Sequence, residues 1–150
     1  MDDREIFFQQ YKLYVETAEK VSDKRQVANT YFLSLNSFLL VLSGYLTTIP
    51  FRLWHILIVI AGSAICLLWI LNLQTYRSLN SAKYKMIHQM EKQLPVRLFD
   101  GEWDLLERGK NKKLYPKLSV IEQRVPLVFI LLYWAALALS VLALFDVFLI

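Results

Sequence analysis

The chain has 150 residues, 56% of them hydrophobic and 20% charged, with a formal charge of +4 and a mean hydropathy of +0.36. That is too apolar for a disordered chain and exceeds the roughly 45–50% apolar content of an ordinary soluble domain. The single cysteine, Cys66, lies inside an apolar run, which excludes a disulfide framework and a thiol ligand set for a metal.

Residues 1–30 are expected to form a cytoplasmic amphipathic helix. Asp2 or Asp3 can cap its start, and Phe7, Tyr11, Tyr14, Ala18, Val21 and Ala28 recur mostly at steps of three and four. The polar opening Met1-Asp2-Asp3-Arg4-Glu5 does not fit a cleavable signal peptide, so the first span is expected to remain in the mature protein. Three uncharged runs follow: 26 residues between Arg25 and Arg52, 24 between Arg52 and Arg77, and 21 between Arg124 and Asp146. A bilayer core needs about 20 helical residues, and 31–49, 53–71 and 127–145 supply them. Pro50 stops the first span, Tyr45 and Trp54 suit the interface, and the short loop makes spans one and two an antiparallel hairpin.

The second helix is expected to continue through 72–94 by way of Tyr76, Leu79, Met86, Met90 and Leu94, until Pro95 ends it. Continuous helices over 3–48 and 53–94 would then pack as a cytoplasmic stalk. The connecting segment 95–125 carries an Asp100-Gly101 turn, a short helix around Trp103 to Glu107, and Gly109 as a helix stop. Lys110, Lys112 and Lys113 form a basic tip suited to lipid headgroups. Ser119 and Glu122 have capping-box spacing and would start a helix into the third span, which Pro126 would kink or restart. Trp103, Glu122 and Pro126 are the expected contacts of this cytoplasmic layer.

The positive charge reads as an orientation signal. Five Lys and Arg precede the first span, only Arg52 lies between the first two, and eleven fall between residues 74 and 125. Lys and Arg are retained in cytoplasmic loops, so the N-terminus and the middle segment are placed in the cytoplasm and the C-terminus in the periplasm. No phosphate-cradling loop or nucleic-acid motif accompanies the charge, and no nucleic-acid partner is expected.

The most informative pattern lies inside the first span. The pairs Asn29-Thr30, Asn36-Ser37 and Ser43-Gly44 recur every seven residues, with Ser34 beside them. That period puts them along one side of a helix, either packed against other helices and copies of the same chain or lining a hydrated path around a symmetry axis. Gly62, Ser63 and Cys66, and Ala135, Ala136, Ala138, Ser140 and Ala143, form further small-residue packing patches. No charged residue sits at a bilayer midplane, which leaves no proton relay or coupling carboxylate. His55 and His88 fall on opposite sides of the membrane by this threading and cannot share a metal or a triad. The cluster Asp100, Glu102, Asp104 and Glu107 fits no calcium loop and is expected to contact Lys or Arg. No catalytic residue, cofactor, metal or small-molecule substrate is expected.

Several features in order resemble a family of small bacterial membrane proteins named for RipA and described as octameric. They are Tyr14-Val15-Glu16, Val21-Ser22-Asp23-Lys24-Arg25, Ala28-Asn29 running into the Ser- and Asn-bearing span, Gly101-Glu102-Trp103, Gly109 followed by lysines, Ile121-Glu122, and Val125-Pro126-Leu127. The resemblance implies an inner-membrane, ring-like homo-oligomer, linked in some intracellular pathogens to growth inside host cells. The residues and the resemblance together predict an all-α, three-span membrane protein in a symmetric homo-oligomer, with copies of itself and anionic lipid as its partners. A structural or scaffolding role in envelope or stress adaptation is the leading expectation. The alternatives are a channel-like pore or membrane-permeabilising effector, and an accessory subunit of a larger complex.

Overall fold

The computed structural model describes residues 2–46, 53–111, 113–116 and 118–148, with side chains except those of Ser119 and 144–148. The described residues form helices and turns only: α1 (Asp3–Leu46), α2 (Leu53–Glu91), α3 (Leu98–Leu105), α4 (Leu118–Glu122) and α5 (Arg124–Phe148), with a three-residue turn, Glu107–Gly109, after α3. Three helical stretches are long and apolar enough to cross a membrane: Asp3–Leu46, Leu53–Glu91 and Val120–Ala143, the last running from the end of α4 through most of α5.

Local chemistry accounts for most of the ends. The Asp2 carbonyl accepts the backbone N–H of Glu5 and Ile6 at 2.9 and 3.0 Å, and Asp3 and Glu5 place negative charge at the positive end of α1. After α2, the N–H groups of Lys92, Gln93 and Leu94 bond back three residues, tightening the chain before Pro95, which has no N–H to give.

Two expectations are corrected. The helix predicted around Trp103 to Glu107 begins earlier, at Leu98, and the Asp100-Gly101 pair read as a turn lies inside it. The cause is a carboxylate six or more residues upstream in sequence, described below. The helix expected to start at Ser119 begins at Leu118 and breaks at Gln123, and α5 starts afresh at Arg124, so the restart expected at Pro126 comes two residues earlier. Pro126 therefore falls in the first turn of α5, where an N–H has no intrahelical acceptor to lose.

The chain folds as two compact units, residues 1–26 with 74–120, and residues 27–73 with 121–150. In the first, Ala18 and Val21 of α1 and Ile87 and Glu91 of α2 are buried. In the second, Val59, Cys66, Trp69, Leu73, Phe129 and Tyr133 form the core, lined by Phe32, Leu39 and Leu40. Trp69 stacks on Phe32 at 5.9 Å and 9° and tilts against Phe129 at 6.1 Å. Gly62 makes room for Tyr133: a Cβ there would come within 2.6 Å of its ring, a clash that neither the helix backbone nor a buried ring can relieve.

Candidate functional site: a polar knot and a carboxylate clamp

The second unit buries an amide among apolar side chains. Asn36 has no exposed surface. Its Nδ2 donates to the Phe32 carbonyl at 2.8 Å, and its Oδ1 accepts from the Cys66 thiol and the Tyr133 hydroxyl, both at 3.1 Å. The Tyr133 oxygen is also 3.0 Å from the Asn36 carbonyl, so its one proton is shared between two oxygens of the same residue. Each apolar helix thus contributes one group: α1 the amide, α2 the thiol, α5 the phenol.

Seven residues earlier on α1, Asn29 Oδ1 accepts the Trp69 indole N–H at 2.8 Å. His55 Nε2 lies 2.7 Å from the Leu46 carbonyl. A carbonyl only accepts, so Nε2 carries the proton. Ser140 bonds back to the Ala136 carbonyl at 2.9 Å. Two buried atoms of this unit, Ser63 Oγ and Asn72 Oδ1, have no hydrogen-bond partner.

The first unit is organised by a buried carboxylate. Glu91, the last residue of α2, is fully buried. Its Oε1 accepts the Phe99 N–H and its Oε2 the Asp100 N–H, both at 2.9 Å, and Tyr11 donates its hydroxyl to Oε1 at 3.2 Å. Arg97 at the N-cap of α3 provides no side-chain cap, so Glu91 fills that role from another helix. The charge sits on amides that would otherwise be unsatisfied, at the positive end of the helix dipole. Burial first, and then the neighbouring Glu91 charge and its hydrogen bond, push the Tyr11 phenol up from 10.0 to about 12. Burial, with Glu19 and Glu102 nearby, raises Tyr84 as well.

Further pairs join α1 to α2 in this unit. Lys83 Nζ donates to Thr17 Oγ1 at 3.0 Å and lies 4.5 Å from the centre of the Tyr14 ring, and Asn80 donates to Ser22 at 3.1 Å. Beyond α3, Glu107, Arg108 and Gly109 take positive φ of 51°, 50° and 68°. This left-handed turn is costly for the first two residues. It brings Arg108 to Asp104 at 2.6 Å and Asp100 at 3.1 Å, so two members of the acidic cluster are paired within the chain. Among the described residues, no three His, Cys, Asp or Glu side chains are grouped to hold a metal ion.

Residues 8–143, which span both units, match the model of the octameric membrane protein family (8xMP). The chain belongs to that family. No curated protein and no solved structure matches it. It is therefore a membrane protein that self-associates, as the sequence resemblance implied.

In this octameric membrane protein the seven-residue side of the first span divides. Asn36 and Ser43 are buried and Asn29 half-buried, all turned inward, whereas Thr30, Ser34, Ser37 and Gly44 are exposed on the protomer. Trp103 is half-buried, edge-on to Tyr115 at 5.4 Å, and closes over Gly109, where a Cβ would meet its ring at 2.9 Å. Pro126 is buried and Glu122 half-buried. Lys110 and Lys113 are exposed, and Lys112 lies outside the described residues.

Sequence reasoning missed Tyr133, Tyr11 and the role of Glu91. Tyr133 was visible as a hydroxyl in the middle of an apolar run. Glu91 was visible as an anion at a helix C-terminus, where the dipole disfavours it, which signals a partner from elsewhere.

Replacing Asn36 by Ala leaves the Cys66 thiol without its acceptor and a cavity among the three helices. It should cost about 1–3 kcal/mol, read as a lowered Tm of the detergent-solubilised protein, with Tyr133→Phe costing less because it leaves the Asn36–Cys66 bond in place. The second expected outcome concerns pH. The Tyr11 phenol is raised by folding, so its contribution is complete below pH 10 and is lost as pH rises through about 12. The stability difference between wild type and Tyr11→Phe, followed by alkaline unfolding, should shrink across that window; a constant difference would contradict the Tyr11–Glu91 contact.

Proposed function

We propose that the protein is a non-enzymatic scaffold of the bacterial inner membrane, a closed ring of co-oriented copies that serves envelope or stress adaptation. In each copy the N-terminus and residues 72–125 are cytoplasmic, the C-terminus is periplasmic, and α1 and α2 form an antiparallel hairpin reaching into the cytoplasm. The burial of Asn36 carries this reading. Asn36, the amide in the middle of the first apolar stretch, is spent on joining three helices of one protomer and is turned away from the exposed side of α1.

The remaining parts have separate supports. Sixteen of the 17 Lys and Arg fall on the side assigned to the cytoplasm. Partners run in opposite senses in each unit, Tyr11 with Glu91, Thr17 with Lys83 and Ser22 with Asn80 in one, and Asn29 with Trp69 and Asn36 with Cys66 in the other. The ring follows from threading. A twofold axis in the membrane plane would invert half the copies, so identical copies inserted one way are related only by rotation about the membrane normal.

Wild-type protein in liposomes should pass no more potassium or chloride than protein-free vesicles; a flux abolished by Ser37→Leu would replace the scaffold by a pore. For the threading, Lys113→Cys should resist a membrane-impermeant maleimide in intact spheroplasts and react after lysis. Labelling before lysis would invert the orientation.

A further inference from the structure

Among the three apolar helices, α1 departs from what lipid demands. Only 11% of its most apolar stretch is buried inside the protomer, against 28% and 22% for the other two, and yet it is the least apolar of the three. A helix turned mostly to lipid should be the most apolar, because hydrocarbon favours large aliphatic side chains and offers hydroxyls no partner. The other helices follow that rule, exposing Leu57, Ile60 and Leu68 on α2 and Leu131, Leu139 and Leu142 on α5.

Beside Val27, Leu33 and Tyr45, the exposed face of α1 carries two unlike rows. Thr30, Ser34 and Ser37 form a row of small side chains that Val41, 73% exposed, continues at alternating steps of four and three. Tyr31 and Phe38 form a row of rings seven residues apart, 64% and 67% exposed. At 100° per residue the rows lie roughly 80° apart, on either side of the direction opposite the buried Asn36 face. One is a groove and the other a ridge, with the same axial spacing.

We propose that this face is the seam between neighbouring copies, with the Tyr31–Phe38 ridge of one copy seated in the Thr30–Ser34–Ser37–Val41 groove of the next. The inference rests on the ring of co-oriented copies above. In a ring of more than two copies neighbours meet head-to-tail, so each copy must carry two different, complementary surfaces. Small residues let two helices approach closely, and rings fill the space that they leave. Rotation about the membrane normal keeps all copies at one height, so Phe38 of one copy meets the neighbour's Ser37 with an axial offset of about 1.5 Å.

The test uses two full-length variants with different tags, Ser37→Cys and Phe38→Cys, expressed separately and together, and oxidised in the membrane. Cys66 is buried and stays in place as a silent control. A disulfide-linked dimer joining the two tags should form on co-expression, and neither variant alone should cross-link. Self-linking of Ser37→Cys would reveal a twofold contact and overturn the proposal. Absence of the mixed dimer from particles that native mass spectrometry counts as octamers would assign this face to lipid and overturn the seam while the ring stands; single copies in the same measurement would overturn the ring itself. As a second variant, Ser37→Trp fills the groove at a position exposed on the protomer. It should lower the octamer fraction on the order of tenfold with protomer helicity and Tm unchanged, and an intact octamer would again overturn the seam.

Discussion

An amide buried among hydrocarbon side chains must find partners, and the arrangement of the three apolar helices follows from how Asn36 finds them. Within a bilayer, apolar burial alone does not select one helix packing over another, because lipid tails are as apolar as leucine. Directional bonds and close contacts make the selection. Asn36 accepts from Cys66 and Tyr133 at 3.1 Å each, which fixes the rotation of α2 and α5 about their axes. Gly62 then lets the Tyr133 ring approach α2 closely enough to reach the amide. An unpaired amide in such surroundings costs roughly 2–7 kcal/mol, so alternatives that separate these three residues are strongly disfavoured.

The other unit meets the same requirement with a full charge. Glu91 closes α2, where the helix dipole opposes an anion by about 0.3–1 kcal/mol. Two backbone N–H groups of α3 and the Tyr11 hydroxyl more than offset this, since hydrogen bonds to charged groups are worth about 1.5–3 kcal/mol each. The same contacts set where α3 begins. The chain between them holds Pro95, and the left-handed turn at Glu107 to Gly109 ends the segment, with Arg108 folded back onto Asp100 and Asp104. This is a connection held at both ends.

Membership of the octameric family gives the polar pattern of α1 its meaning. Asn29 and Asn36 join α1 to its neighbours within the protomer, and the exposed Thr30, Ser34 and Ser37 are the residues of the proposed seam. The proposed ring would impose two complementary faces on each copy, and α1 is the helix whose exposed side is poorest in the large aliphatics that lipid favours.

That the chain forms three helices long and apolar enough to cross a membrane was legible in the sequence, because a bilayer demands about 20 uncharged residues in a row and nothing distant can alter that count. That α1 and α2 run far beyond their apolar stretches was legible too, since amphipathic spacing is a local signal, although α2 ends at Glu91 and not at Leu94. The period of seven in the first span was visible, but not which residue of each pair turns inward: Asn36 and Ser37 are neighbours in sequence, and only packing against Cys66 and Tyr133 separates buried from exposed. The start of α3 was misread for the same reason. Asp100-Gly101 is a sound turn signal by itself, and it gives way to a carboxylate delivered from the end of α2. Local composition decided what each segment could become; which groups meet was decided by the tertiary structure, because a buried polar atom is satisfied by whatever reaches it in space.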